Sequence, residues 1–183
     1  MSKQYAKLVD SVLEFLTKIP FISNPSEHQF EEYAAENGYK EFITVKQPGI
    51  FYIKGYSETE TTITEEWSPI DLNTAKASAL VRIQNELDNL LGRRTVLHCE
   101  GFTNGIIYDQ NALTNAIGLE LGDMFIDAKD GLHTLTEENI VEIKKALKEY
   151  RLELYAGATV KRKAVGDATN VDEVEAVLKD LPA

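Results

Sequence analysis

The chain has 183 residues, 43 % hydrophobic and 27 % charged, enough apolar mass for one medium domain or two small ones. Nineteen Lys and Arg against thirty Asp and Glu give a net charge of −11. That balance argues against a protein that tracks nucleic-acid phosphates, which needs a basic face. A single cysteine excludes an intramolecular disulfide framework and any multi-cysteine zinc or iron–sulfur site. With no apolar run approaching ~20 residues and no signal-peptide layout, neither membrane spanning nor general secretion is expected.

Near the start, Tyr5, Leu8 and Val9 and then Val12, Leu13, Phe15 and Leu16 flank the polar pair Asp10-Ser11, the pattern of a tight hairpin. A helical spacing through Leu8, Val12, Phe15 and Ile19 is the alternative, and Pro20 closes either. Asn24 as a cap followed by Pro25 predicts a helix start, Phe30, Tyr33 and Ala34 supply its stripe, and Asn37-Gly38 ends it. Residues 40–46, 50–56 and 61–67 are rich in β-branched and aromatic residues, which predicts a strand and then a hairpin, with the helix covering one side of a small sheet.

Trp67-Ser68-Pro69 reads as a hinge between an α+β module, residues 1–68, and a second module, residues 69–183. Thr74 caps an expected linking helix over 74–91 whose apolar positions Ala77, Leu80, Ile83, Leu87 and Leu90 form a heptad-like seam. The seam spans barely two heptads, so a helix laying one face on its own domain is the plainer reading. Short strands follow over 95–100 and 105–109, around residues 101–104, then a short helix over 110–118 and a strand over 124–126. After a turn at 127–131, Thr136 caps a long helix with Glu137 and Glu138 in its first turn and Ile140, Ile143, Leu147, Tyr150 and Leu154 as its stripe. It is expected to run toward Arg162 and break at Gly166, with Asn170 or Thr169 capping a last helix through Val171, Val174, Val177 and Leu178. The expected fold is α+β: a small N-terminal sheet with one helix, a connecting helix, and a helix-rich C-terminal module with short strands.

Candidate chemistry is sparse. Asp123, Asp127, Asp130 and Gly131 invite a calcium loop with Glu137 as its bidentate ligand, but the register then asks Ile126 and Ala128 for side-chain oxygens they lack. A strand-to-helix turn uses Asp and Gly without a metal, and that is the reading taken. Cys99 lies beside His98 and Glu100, yet strand neighbours point to opposite faces, and a base would have to come from His28 or His133. A buried structural cysteine is expected. Asp109, near Gly105 and Tyr108, is one carboxylate with no second at a known separation. Arg93-Arg94 and Lys161-Arg162-Lys163 suit helix C-termini. No phosphate-loop, dinucleotide, zincin or nucleophile-elbow motif occurs. No catalytic residue, metal or cofactor is therefore assigned. Among the aromatic residues Tyr33, Tyr39, Phe51, Tyr52, Tyr56 and Trp67, most are expected in the core and on the sheet; Tyr52 and Tyr56, of one strand parity, are the expected exposed patch. The candidate interface set is Tyr52, Tyr56, Trp67, Leu80, Ile83, Leu87 and Leu90.

Tyr5-x-Lys7-Leu8-Val9-Asp10, Pro20, Asn24-Pro25, Gly38-Tyr39-Lys40, Pro48, Tyr56 and residues 63–67 together resemble the short N-terminal module of small phage tail-associated proteins, including tail-fibre assembly proteins. Residues 70–165, with the helix over 74–91, the strand within 101–109, and Phe125-Ile126-Asp127-Ala128 leading through a turn into Leu135-Thr136, resemble a domain of unknown function in tail-fibre-type proteins. Lys129-Asp130-Gly131 departs from that family's plainer Asp-Asn turn, and the family offers no catalytic residues to carry over. The resemblance implies a tail or tail-fibre-associated protein acting by protein–protein contact in the virion tail, with tail proteins or a second copy as partners. The alternatives are a fibre-assembly chaperone in the host cytoplasm, a small hydrolase or lyase using Asp109 or Asp123 with His98 or His133, and an acidic mimic of nucleic acid. The acidity is spread over both halves, with six basic and eleven acidic residues before Ser68 ends and thirteen and nineteen after it. That distribution fits solubility better than mimicry.

Overall fold

A computed structural model describes residues 3–179 and 181. The fold is α+β, and the chain divides into two compact units, Met1–Asp71 and Leu72–Ala183. The division falls just past the expected hinge because the last strand of the first unit runs through Pro69, and the Ile70 N–H donates to the Phe51 carbonyl.

In the first unit, β1 (Gln4–Val9) and β2 (Val12–Phe15) form the hairpin, with Val9 opposite Val12. Asp10 and Ser11 both take positive φ (49° and 66°), the conformation a two-residue turn needs to match strand twist. Helix α1 (Glu27–Glu36) starts later than Asn24-Pro25 predicts. Its cap is Ser26, whose hydroxyl accepts from the Gln29 N–H while the Gln29 side chain accepts from the Ser26 N–H. This reciprocal box satisfies two orphan donors, whereas Asn24 sits at φ 57° outside the helix. Strands β3 (Lys40–Ile43), β4 (Tyr52–Glu58) and β5 (Thr62–Pro69) complete a sheet of order β2-β1-β3-β5-β4, antiparallel except for β3 with β5. Lys3 Nζ and Tyr5 Oη both donate to Glu31 (2.9 and 3.2 Å), which holds α1 against the side of the sheet that carries Tyr5. On the other side, Phe15 meets Phe42 edge-on at 5.1 Å and Phe42 meets Tyr56 at 6.4 Å. The register places Ala6 and Ile63 between these rings, and both are fully buried.

In the second unit, α2 (Leu72–Gly92) packs against α4 (Glu137–Asp167) and α5 (Val171–Leu178). Thr74 lies within α2 and does not cap it. A hairpin of β6 (Thr95–Cys99) and β7 (Phe102–Tyr108) closes through Glu100-Gly101, so its second strand begins earlier than expected. Gly105, at φ 74°, could not carry a side chain, since a Cβ there would collide with the Leu97 carbonyl. Helix α3 (Ala112–Ile117) leads to β8 (Met124–Ile126) and β9 (Leu132–Thr134), the latter a strand the sequence pattern did not show. Thr136 caps α4 with Asn139 as its box partner, and buried Leu135 precedes it. Gly166 sits inside the last turn of α4 and does not break it; Asn170 caps α5. At roughly 46 Å, α4 is long enough to serve two clusters. Its first half joins Leu97, Cys99, Phe102, Ile106 and Tyr108, and its second half meets α2 and α5.

Candidate functional site

The linking-helix seam was read at spacings of three and four, but the buried stripe of α2 is Ala75, Ala79, Ile83 and Leu87, advancing by four throughout. Two small residues open the stripe and let the neighbouring helices come close. Ile83 and Leu87 are 2 % and 3 % exposed, spent in their own unit rather than offered to a partner. Leu80 is largely outside the stripe at 39 % exposure, Leu90 is half-buried, and Ala77 is exposed.

The aromatic candidates of the first unit are also engaged. Tyr52, Tyr56 and Trp67 are all half-buried, which corrects the expectation of an exposed Tyr52–Tyr56 patch. Tyr56 rests on Phe42 as part of the ring row, and Tyr52 lies across from Pro69. Trp67 donates its indole N–H to the Val45 carbonyl (2.9 Å), while the Val45 N–H donates to Glu65 Oε2 (3.0 Å). Two side chains of β5 thus hold the chain beyond β3 where the strand ladder has stopped. Lys54 completes the knot, 2.6 Å from Glu65 Oε1 and 5.3 Å from the Trp67 ring centre. Glu65 is only 6 % exposed, and the Lys54 ammonium, helped by the Val45 N–H, holds its carboxyl below the usual range against the opposing effect of burial.

Asp127 is 1 % exposed and surrounded by donors. Oδ2 accepts from Asn104 Nδ2 (2.8 Å) and His133 Nε2 (3.0 Å); Oδ1 accepts from the N–H groups of Lys129 (2.8 Å) and Gly131 (2.9 Å). These contacts, His133 foremost and then Asn104, hold the Asp127 carboxyl far below its ordinary value. An ionised carboxylate has only acceptors to offer, so His133 Nε2 carries the hydrogen. All four contacts to the Asp127 oxygens come from N–H donors, so the carboxylate pins the turn. Gly131 is required by the same pin, because a Cβ there would come within 2.5 Å of Asp127 Oδ2. Asp123 and Asp109 are exposed and cap local turns through the Glu120 and Asn111 N–H groups. They are not joined to His98 or His133 by any hydrogen bond among the described residues. Cys99 is buried and His98 exposed; burial first, then Glu142 and Glu100, pushes the thiol up to about 11, which suppresses thiolate at neutral pH. Of the basic clusters, Arg162 donates to Gln84 and Lys163 pairs with Asp167.

The surface that sequence reading missed belongs to the β8–β9 hairpin. Phe125 pairs with His133 on its inner face, and both rings contact buried Phe102, at 5.4 and 5.0 Å. Met124, Ile126 and Leu132 occupy the opposite face, each more than half exposed. Ile117 and Leu121, in the segment leading into β8, are exposed to a similar degree. A surface hairpin ordinarily turns a polar face to water; this one turns Met124, Ile126 and Leu132 outward, with Thr134 beside them donating to the Met124 sulfur. The signal was present as Met124 and Ile126 at strand parity, but it needed β9 to become a face.

No helix among the described residues is long and apolar enough to cross a membrane. Compared with protein-family models, curated proteins and solved structures, the chain matches none.

Proposed function

We propose that the chain is a phage tail or tail-fibre-associated protein that acts by protein–protein contact, as a subunit of the virion tail. The observation that carries the contact reading is the outer face of the β8–β9 hairpin, where Met124, Ile126 and Leu132 each stand more than half exposed. Exposed apolar faces of this kind mark protein interaction sites. The tail assignment comes from the resemblance of both halves to tail-associated modules. The enzyme alternative has less support: Asp109 and Asp123 stabilise turns, and His133 is tied to Asp127.

Mass spectrometry of purified virions of the phage that encodes the chain tests this. Stoichiometric presence with the tail subunits is expected. Absence from the particle together with misassembled fibres on deletion would convert the reading to a chaperone. Absence with normal tails on deletion would overturn it.

A further inference from the structure

Between β2 and α1 the chain turns at Ile19-Pro20-Phe21-Ile22, with the Ile22 N–H reaching back to the Ile19 carbonyl at 3.4 Å. Ile19 is buried, and Pro20 takes the position that suits its fixed φ. The next position in such a turn requires positive φ and normally holds Gly or Asn. Here it holds Phe21 at φ 65°, with its side chain fully exposed. A bulky residue in that region is a conformational outlier, and an outlier of this sort points to function. Two unfavourable features coincide at one residue: a strained backbone and an aromatic ring standing in water. Neighbouring Ile22 is exposed as well.

Leu16 and Pro25, on either side of this turn in the chain, help Tyr5, Phe15 and Phe30 line a groove of about 880 Å³ whose charged members are Lys3, already paired with Glu31, and Glu27. Phe21 is fully exposed and is not among the residues that line this groove. The loop that carries Phe21 also carries exposed Lys18, opposite in sign to Glu27. The same unit therefore bears an apolar knob flanked by a cation and an aromatic groove flanked by an anion. We propose that two copies of the chain associate through this face, each inserting Phe21 into the groove of the other, with Lys18 of each set against Glu27 of its partner copy. A two-fold contact of this kind is self-complementary by construction. The contact is small, resting on Phe21, Ile22 and the groove, which places it at the weak end of specific interfaces, on the order of micromolar. It uses different residues from the β8–β9 face and does not rest on the tail reading.

The test is sedimentation equilibrium of the purified full chain over roughly 0.1 μM to 100 μM, the range that brackets micromolar dissociation. A monomer–dimer equilibrium is expected. Phe21→Gly should weaken it at least about tenfold, the scale of an interface anchor. The same variant should raise the melting temperature of the monomer, since glycine accepts the positive φ, so loss of association cannot be laid to misfolding. Lys18→Glu and Glu27→Lys should each weaken association, and the double reversal should restore it. A wild-type chain that stays monomeric throughout the range would overturn the proposal and leave the groove to a different protein. So would a dimer that Phe21→Gly leaves intact, or charge reversals that fail to compensate.

Discussion

The two units bury their interiors by different means. In the first, among the described residues, the fully covered apolar side chains are Ala6, Ile19, Ala34, Phe51 and Ile63, and the sheet is completed by a row of half-open rings and by polar ties. In the second, the helices and the β6–β7 hairpin enclose a long list of aliphatic positions, from Ala75 and Ile83 to Val174 and Leu178. A domain near 70 residues has too little volume to hide all its apolar surface. The first unit answers with directional contacts, Lys54–Glu65–Val45–Trp67 and Lys3–Glu31–Tyr5, whose geometry must be right for them to contribute. The difference teaches that both units depend on core volume, while the first adds partly exposed polar ties around a smaller set of covered side chains.

The single tryptophan makes the comparison measurable, because Trp67 reports on the first unit, while helical circular dichroism is dominated by α2, α4 and α5 of the second. The largest expected effects are core truncations. Ile143→Ala in the second unit and Ile63→Ala in the first should each cost about 2–5 kcal/mol in chemical denaturation, from lost transfer energy plus the cavity left behind. Ile143→Ala should move the circular-dichroism midpoint and spare the fluorescence midpoint; Ile63→Ala should do the reverse. Midpoints that move together in both variants would break the two-unit description.

Asp127→Asn comes next, and it tests whether volume is all that matters in the second unit. The amide would keep the shape but turn a donor toward a site already ringed by donors. Its effect carries a pH signature. The folded-state pKa of Asp127 lies below the unfolded value, so its contribution to stability is fully present above the unfolded pKa, about 3.9, and is lost as pH falls. Thermal melts should show wild type well above the variant at neutral pH, with the gap closing below about pH 5. A gap independent of pH would mean that the carboxylate charge is irrelevant to the pin.

Glu65→Gln is the counterpart in the first unit and should be milder, because the Lys54 side of the pair is open to solvent and screened. The sign is the same: Glu65 is held below its ordinary value, so its stabilisation is present above the unfolded pKa and fades on acidification. The fluorescence midpoint should fall at pH 7 and converge with wild type in acid, while the circular-dichroism midpoint stays put.

What could be read from the sequence follows a physical line. Hairpin β1–β2 was legible because Asp10-Ser11 sits between two apolar runs and needs nothing distant to form. The α4 cap was legible for the same reason: Thr136, Asn139 and the acidic first turn are local. The start of α1 was misplaced because Asn24-Pro25 outshone the Ser26–Gln29 box, although both were written in the chain. The α2 stripe was rotated because alanines at 75 and 79 look weak on a hydrophobicity scale, and only a neighbouring helix makes small residues the best-packed ones. Strand β9, three residues long, has no period to detect. The role of Asp127 depends on Asn104 and His133, brought together by three separate segments, and Glu65 depends on Lys54 across a strand pair. Side chains that act through distant partners leave no spacing to read.

The smallest expected effect on stability is the most informative about the β8–β9 face. Leu132 is the most exposed member of its outer side, so Leu132→Ser removes little buried area and should change stability by no more than about 0.5 kcal/mol. Phe125→Ala, on the inner face of the same hairpin, removes a ring packed on Phe102 and should cost several-fold more. The ratio between the two is the test, read from the circular-dichroism midpoint. A hairpin whose outer face served its own unit would lose comparable stability from either side. A hairpin whose outer face is not packed in its own unit loses it from the inside alone, and Leu132→Ser then becomes the variant with which to ask, in a folded chain, whether the proposed partner contact fails.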